Sequence, residues 1–429
     1  MALALNPHSG TSNAGNPLGL AAWHRNRCLN TAVVVVAAGA GFVVGRDGSL
    51  PWQMFRVVVV TGLSWVVYSI IDRGTRGQRA GVAFATGCVA VAVGVGIGVP
   101  HLAKTGIDPI TIAGLAMLAG GLVLVGFGGI VLVRTTRRWW RALVAPGLFV
   151  AIVVALWTLG QAVAATNVPR TSVGSVTPAD HGLPYRDVEF ETADGVLLSG
   201  WYIPSTNGAA VVMMHGAGST RSGVLAHADV LAGHGLGVLL FDARGHGRSG
   251  GRAMDFGWYG DEDTSAAVSF LQAQPDVDDE RIGAVGLSMG GEQAIGAAAA
   301  DPRIRAVVAE GATNRVAGDK AWLSDEFGWR GAIQERIDWL TFGVADVLTV
   351  ADPPITLREA VATAAPRPVL LIAGAAVENE PLAGRYIQSG SRDTVQLWIA
   401  PDTEHTAALD THPASWERRV TEFLTVALA

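Results

Sequence analysis

Ser288 stands in the pentapeptide Gly286-Leu287-Ser288-Met289-Gly290, with a short apolar run before it and the alanine-rich stretch Glu292 to Ala300 after it. That order reads as strand, sharp turn and helix with the serine at the apex. The turn forces Ser288 into a strained backbone conformation, and a side chain at Gly286 or Gly290 would collide with the neighbouring strand or helix. The hydroxyl is then exposed at a helix N-terminus, where backbone N–H groups and the helix dipole favour negative charge growing on a substrate oxygen. The chemistry this serves is nucleophilic attack on an acyl group. At neutral pH such a serine needs a base, and the base needs an acid to orient it. His405, in P-D-T-E-H-T, is the expected base, with His412 as the fallback. The acid is expected after the run Pro368 to Ala373, where Gly374 is followed by A-A-V-E-N-E; Glu378 and Glu380 are both in reach. An oxyanion hole needs two N–H donors, and the backbones of Met289 and Ala217 are the candidates, Ala217 lying between Gly216 and Gly218. His215 reads as a brace for that loop.

The elements that position these residues lie between 185 and 429. Asp187 to Thr192 and Val196 to Pro204 alternate around Ala193-Asp194-Gly195, a hairpin pattern. Ala209 to Met214, Gly235 to Phe241, Ala306 to Glu310, Pro368 to Ala373 and Val395 to Ala400 are apolar runs, and helical stretches at Asp261 to Ala273 and Ala414 to Leu428 accompany them. Buried strands alternating with helices imply a parallel sheet covered on both faces, whose functional loops lie at the carboxyl ends of the strands. His405 follows the last strand and precedes the last helix, as a triad base must. A cap is expected at about 314–365, and its Trp322, Phe327, Trp329, Trp339 and Phe342 favour an apolar substrate.

The rest of the chain differs in kind. Of 429 residues only 16% are charged, against roughly 25% in soluble domains, and the deficit is concentrated before residue 165. Residues 1–22 read as a disordered tail. Five apolar stretches come next, at about 29–46, 52–71, 80–100, 110–133 and 142–165, each near the ~20 residues that cross a bilayer. Arg25 and Arg27, then Arg73, Arg76 and Arg79, then Arg134, Arg137, Arg138 and Arg141 fall on alternate connections. By the positive-inside bias the N-terminus is cytoplasmic, and five spans leave everything after a 166–184 linker extracytoplasmic. The first span is expected to be an uncleaved anchor. Gly41 with Gly45 and Gly94 with Gly98 read as helix-packing pairs.

Composition also excludes. A net charge of −6 with no basic stripe argues against nucleic acid as a partner. The two cysteines, Cys28 and Cys88, lie in the apolar region, so no disulfide framework, cysteine zinc site or cysteine nucleophile is expected elsewhere. No acidic residue lies deep in a span, which disfavours a transporter. The acidic group Asp276, Asp278, Asp279 and Glu280 lacks calcium-loop spacing and reads as a solvated loop. No metal or cofactor is expected.

From about Arg186 onward the chain resembles the α/β-hydrolase fold, in its dienelactone-hydrolase-like and X-prolyl-peptidase-like branches. The carriers are H-G-A-G at His215, D-A-R-G-H-G-R-S-G at Asp242, G-L-S-M-G-G at Gly286 and D-T-E-H at Asp402. The resemblance implies a triad of Ser288, His405 and an acid, with Ala217 and Met289 as oxyanion donors, and little chemistry in the Asp242 loop. The departure is at the acid: related sequences place an aspartate where this chain has Val377. The resulting expectation is a membrane-anchored serine hydrolase of esters or related acyl substrates, with small molecules or lipids as substrates. Peptidase or acyltransferase activity, or a binding module without turnover, are the alternatives.

Overall fold

The structure, a computed structural model, describes residues 50–429. The expected tail at 1–22, the stretch at 29–46, and Gly41 and Gly45 lie outside the described residues. Two compact units divide the described residues: those up to 87 with 122–146, and residues 88–121 with 147–429. The second unit therefore takes in segments that the sequence assigns to the apolar N-terminal region.

Among the described residues four long helices precede the sheet: α1 (Leu50–Arg73), α2 (Arg76–Thr105), α3 (Pro109–Thr135) and α4 (Arg141–Thr166). Among the described residues three of them, α2, α3 and α4, are long and apolar enough to cross a membrane. The expected stretch at 52–71 is α1. In the first unit, Gly128 lets α3 approach α2 so closely that a Cβ there would lie 2.9 Å from Phe84 Cβ. In the second, Gly94 and Gly98 of α2 meet Leu118 and Gly114 of α3, the close approach that small residues permit. A π turn at Leu156–Gly160 interrupts α4.

The second unit is built on an eight-stranded sheet in the order β1-β2-β4-β3-β5-β6-β7-β8. Its strands are β1 (Arg186–Glu191), β2 (Leu197–Ile203), β3 (Ala210–Met214), β4 (Gly237–Phe241), β5 (Ile282–Leu287), β6 (Ala306–Glu310), β7 (Val369–Gly374) and β8 (Val395–Ala400). The first hairpin pairs antiparallel and β2 pairs antiparallel with β4; all remaining neighbours are parallel. The pleat sends alternate residues to opposite faces. Val212 and Met214 join one core with Leu271, Ile295, Val361 and Ile387; Val211 and Met213 join the other with Leu231, Trp416 and Leu424. Helices α5 (Leu225–Gly233) and α13 (Pro413–Ala427) thus cover one face. Helices α6 (Gly260–Gln272), α7 (Met289–Ala300), α10 (Leu357–Ala364) and α11 (Asn379–Gln388) cover the other. Short α8 (Leu323–Phe327) and long α9 (Trp329–Leu348) make the cap, and α12 (Ala408–Thr411) precedes α13.

The cap is shorter than the expected 314–365. Leu357, Ala360, Val361 and Ala364 recur at helical spacing and are buried in the core beneath the sheet, so α10 is a covering helix. The acidic group is also not wholly solvated: Asp276 accepts from Tyr202 Oη and from the Ser205 amide, both at 2.6 Å. The 166–184 segment is pinned to the rest of the second unit. Arg252 donates to Thr166 O at 2.7 Å, and Arg170 donates to Ser249 O at 2.5 Å.

Candidate active site

Ser288 has φ 53° and ψ −121° and caps α7 at the end of β5. This positive φ is strained for a residue with a side chain, and the two flanking glycines make it attainable. A Cβ on Gly286 would fall on the backbone of Gly290, and one on Gly290 on the carbonyl oxygens of Met214 and His215. The first collision is with the helix and the second with the neighbouring strand, as the sequence requires. Gly216 faces the same turn, where a Cβ would lie 3.3 Å from Ser288 Cβ. The loop carrying Ala217 is therefore packed against the serine.

From Ser288 a hydrogen-bonded chain runs inward. His405 Nε2 lies 2.9 Å from Ser288 Oγ, and His405 Nδ1 lies 2.5 Å from Glu380 Oε1. The other carboxylate oxygen of Glu380 accepts from the Gly374 amide at 2.7 Å. Glu380 is 2% exposed, in the first turn of α11. Glu378 precedes that helix and is exposed. Of the two candidate acids, only Glu380 meets the histidine. His412 is elsewhere, with Nε2 2.7 Å from Pro401 O.

His215 is buried, accepts from the Ala243 amide at Nε2 (3.1 Å) and holds Gly216 O at Nδ1 (2.8 Å). Burial depresses its pKa to about 3, so it stays neutral and braces the loop. Asp242 is likewise scaffold: its carboxylate accepts from the Arg221 amide at 2.8 Å and the Arg248 amide at 2.9 Å. Among the described residues no cluster of histidine, cysteine or carboxylate side chains could hold a metal ion.

A cleft of about 640 Å³ opens beside this chain of residues. Its walls include Glu380 and His405, Trp322, Phe327 and Arg330 of the cap, and Trp157 and Gln161 of α4.

The chain has the α/β-hydrolase fold. A family model described as serine aminopeptidase, S33, matches residues 205–338. An esterase of Pyrococcus furiosus is similar in structure, with a TM-score of 0.50 and 27% identity, covering 61% of this chain and 97% of that one. Among curated proteins, one from Mycobacterium tuberculosis is 42% identical over 137 residues, 31% of this chain and 46% of that protein. A thiohydrolase of Aspergillus aculeatus is 42% identical over 128 residues (29% and 40%), and a polyketide transferase of a Penicillium species 36% identical over 131 (30% and 45%). The chain spans less than half the length of these curated relatives.

On this α/β-hydrolase frame, three further residues surround the histidine, and sequence reasoning passed over all of them. Glu310 ends β6, where its carbonyl accepts from the Ser288 amide at 2.7 Å. Its carboxylate accepts from the Ala408 amide (2.8 Å) and Trp416 Nε1 (2.9 Å), tying the His405 loop to the sheet. Burial raises its pKa. Glu292, in the first turn of α7, accepts from the amides of Thr313 (3.0 Å) and Asn314 (2.9 Å), and burial pushes its pKa up to about 7. Gly311, at φ +70°, leaves the room in which His405 sits, since a Cβ there would lie 2.9 Å from His405 Cε1. A glycine directly after a strand that ends in glutamate was the only sequence signal for that site. The hydrogen bond that His405 donates to Glu380 is the main reason the His405 pKa is raised, with Glu292 and Glu310 adding smaller contributions.

Proposed function

We propose that this protein is a membrane-anchored, extracytoplasmic serine hydrolase acting on esters or related acyl substrates through Ser288, His405 and Glu380. The observation that carries this reading is the continuous chain from Ser288 Oγ through His405 to buried Glu380. In the first half-reaction Ser288 Oγ attacks the acyl carbonyl while His405 Nε2 takes its proton. Glu380 accepts the Nδ1 proton in a hydrogen bond, which fixes the ring and stabilises the imidazolium. The Met289 and Ala217 amides meet the oxyanion of the tetrahedral intermediate. On collapse the C–O or C–S bond to the leaving group breaks, and His405 returns the proton to it. Water, deprotonated by His405, then attacks the acyl-enzyme, releasing the acid and restoring Ser288.

Helices α2, α3 and α4 support the membrane part of the proposal by length and composition, and the arginine pattern supports the orientation. Transfer of the acyl group to an acceptor other than water is the second reading, favoured by likeness to a polyketide transferase. A fluorophosphonate should label the wild-type protein and not Ser288→Ala. Equal labelling of both removes Ser288 from the mechanism. Product analysis with water alone and with added alcohols or thiols separates hydrolysis from transfer, and a reporter fused at the C-terminus reads the side of the membrane.

A further inference from the structure

The cap helix α9 is buried along one side and exposes large apolar side chains along the other. Gly331, Asp338, Thr341, Phe342, Ala345 and Leu348 are buried, and Arg330, Gly331, Gln334 and Asp338 line the cleft. On the opposite side Trp329, Ile333, Leu340 and Val347 are exposed. At 100° per residue these four fall within about 40° of one another, an exposed apolar stripe interrupted only by Arg336, which lies on the same face and whose long stem can carry its charge to the polar side of an interface.

Its neighbour indicates what covers it. Helix α9 packs on the last turns of α4, where Thr341 Oγ1 reaches Trp157 O at 3.4 Å. Before that contact α4 exposes Phe149, Val150, Val153 and Trp157; after it Thr158, Gly160, Ala162, Val163, Ala165 and Thr166 are buried. The helix thus passes from an exposed apolar surface into the protein within one turn. Trp157, at that transition, is 50% exposed and also lines the cleft. Tryptophan favours the boundary between hydrocarbon and water.

We infer that α9 is an interfacial helix lying on the bilayer, and that the cleft takes the acyl chain of a membrane lipid ester which enters past Trp157. This rests on the proposed esterase reading for its chemistry, but the placement of α9 stands apart from turnover. A lipid remaining in the bilayer keeps most of its apolar surface buried while its ester reaches Ser288, whereas a soluble long-chain ester would have to leave a micelle first.

The test uses the full chain in nanodiscs, as Ser288→Ala, with a phospholipid carrying a photoactivatable acyl chain. Labelling is expected on peptides containing Trp157 and the exposed stripe of α9. Labelling confined to residues 50–156 overturns the inference whether or not the protein is an enzyme. In the active form, Ile333→Glu and Leu340→Glu should lower turnover of a long-chain lipid ester in nanodiscs roughly tenfold, with a water-soluble butyrate ester and fluorophosphonate labelling unchanged. Equal effects on both esters, or none, overturn it. Loss of a dimer in Leu340→Glu, with α9 unlabelled by lipid, would make the stripe a contact between copies and also sink the proposal. Absent fluorophosphonate labelling together with lipid labelling of α9 would overturn the esterase reading and the acyl-chain role of the cleft, and keep the interfacial helix.

Discussion

Lys104 Nζ donates to the carbonyl oxygen of Gly218 at 2.6 Å, which fastens the end of α2 to the loop that carries Ala217. Thr171 Oγ1 reaches the same oxygen at 3.0 Å, and the Gly218 N–H is taken by Asp255 Oδ1 at 3.3 Å. Both peptide groups of Gly218 are therefore held, next to the amide proposed as an oxyanion donor. Lys104→Met should lower kcat about tenfold with KM nearly unchanged, because a misplaced donor weakens the transition state more than the ground state. Lys104→Arg should keep most of the rate. Steady-state kinetics on a soluble ester check this; a change in KM alone would assign Lys104 to substrate binding.

Glu380 and Glu378 should separate cleanly. Glu380→Gln is expected to reduce kcat by about 10³- to 10⁴-fold, the scale seen when the orienting acid of a triad loses its charge. Glu378→Gln should remain close to wild type. Turnover of a soluble ester by the two variants checks both.

The pairing of His405 with Glu380 also sets the pH profile. His405 must be neutral to accept the Ser288 proton, and Glu380 raises its pKa, so activity should rise with pH through a midpoint above the ordinary histidine value. In Glu380→Gln the residual activity should show that limb moved to lower pH. A limb that does not move would deny the electrostatic coupling.

Gly311→Ala tests the room around the histidine. The residue sits at φ +70° and the new methyl would meet the ring of His405. Turnover should fall by roughly 10- to 100-fold, more than the backbone strain of about 1 kcal/mol implies for stability. Comparing kcat with the thermal midpoint separates the two effects.

Glu292 should make stability depend on pH. Its folded pKa of about 7 lies above the usual carboxylate value, so the folded state binds a proton that the unfolded chain has released. That contribution is complete below the unfolded pKa and is lost as pH rises through about 7. Glu292→Gln keeps a carbonyl acceptor for the Thr313 and Asn314 amides and should flatten the pH dependence of the thermal midpoint between pH ~4.5 and ~7. An unchanged slope would exonerate Glu292.

Much of the sheet could be read from the chain because its strands are continuous apolar runs with polar or glycine ends. Strands β6 and β8 occupy the residues expected of them. Ser288 was legible for a local reason, since the glycines around it answer to collisions close to one turn. The acid was not, because the choice turns on where α11 begins: the helix phase buries Glu380 and leaves Glu378 in solvent. Nor could sequence show that Trp157 and Gln161 line the cleft beside His405, or that Lys104 holds the Gly218 loop, though all three come before residue 166. They arrive there through packing of segments distant in the chain. The 166–184 segment looks like a linker by composition, yet its partners make it part of the folded unit.

The π turn at Leu156–Gly160 gives α4 a mechanical property. One additional residue in a helical turn rotates the downstream half by about 100° relative to an uninterrupted α-helix. The segment ahead of the turn can keep Phe149, Val150 and Val153 phased to one environment while Ala162, Val163 and Ala165 are phased to another. Deleting a single residue there would leave both halves helical and throw them out of step, like a gear that has slipped a tooth.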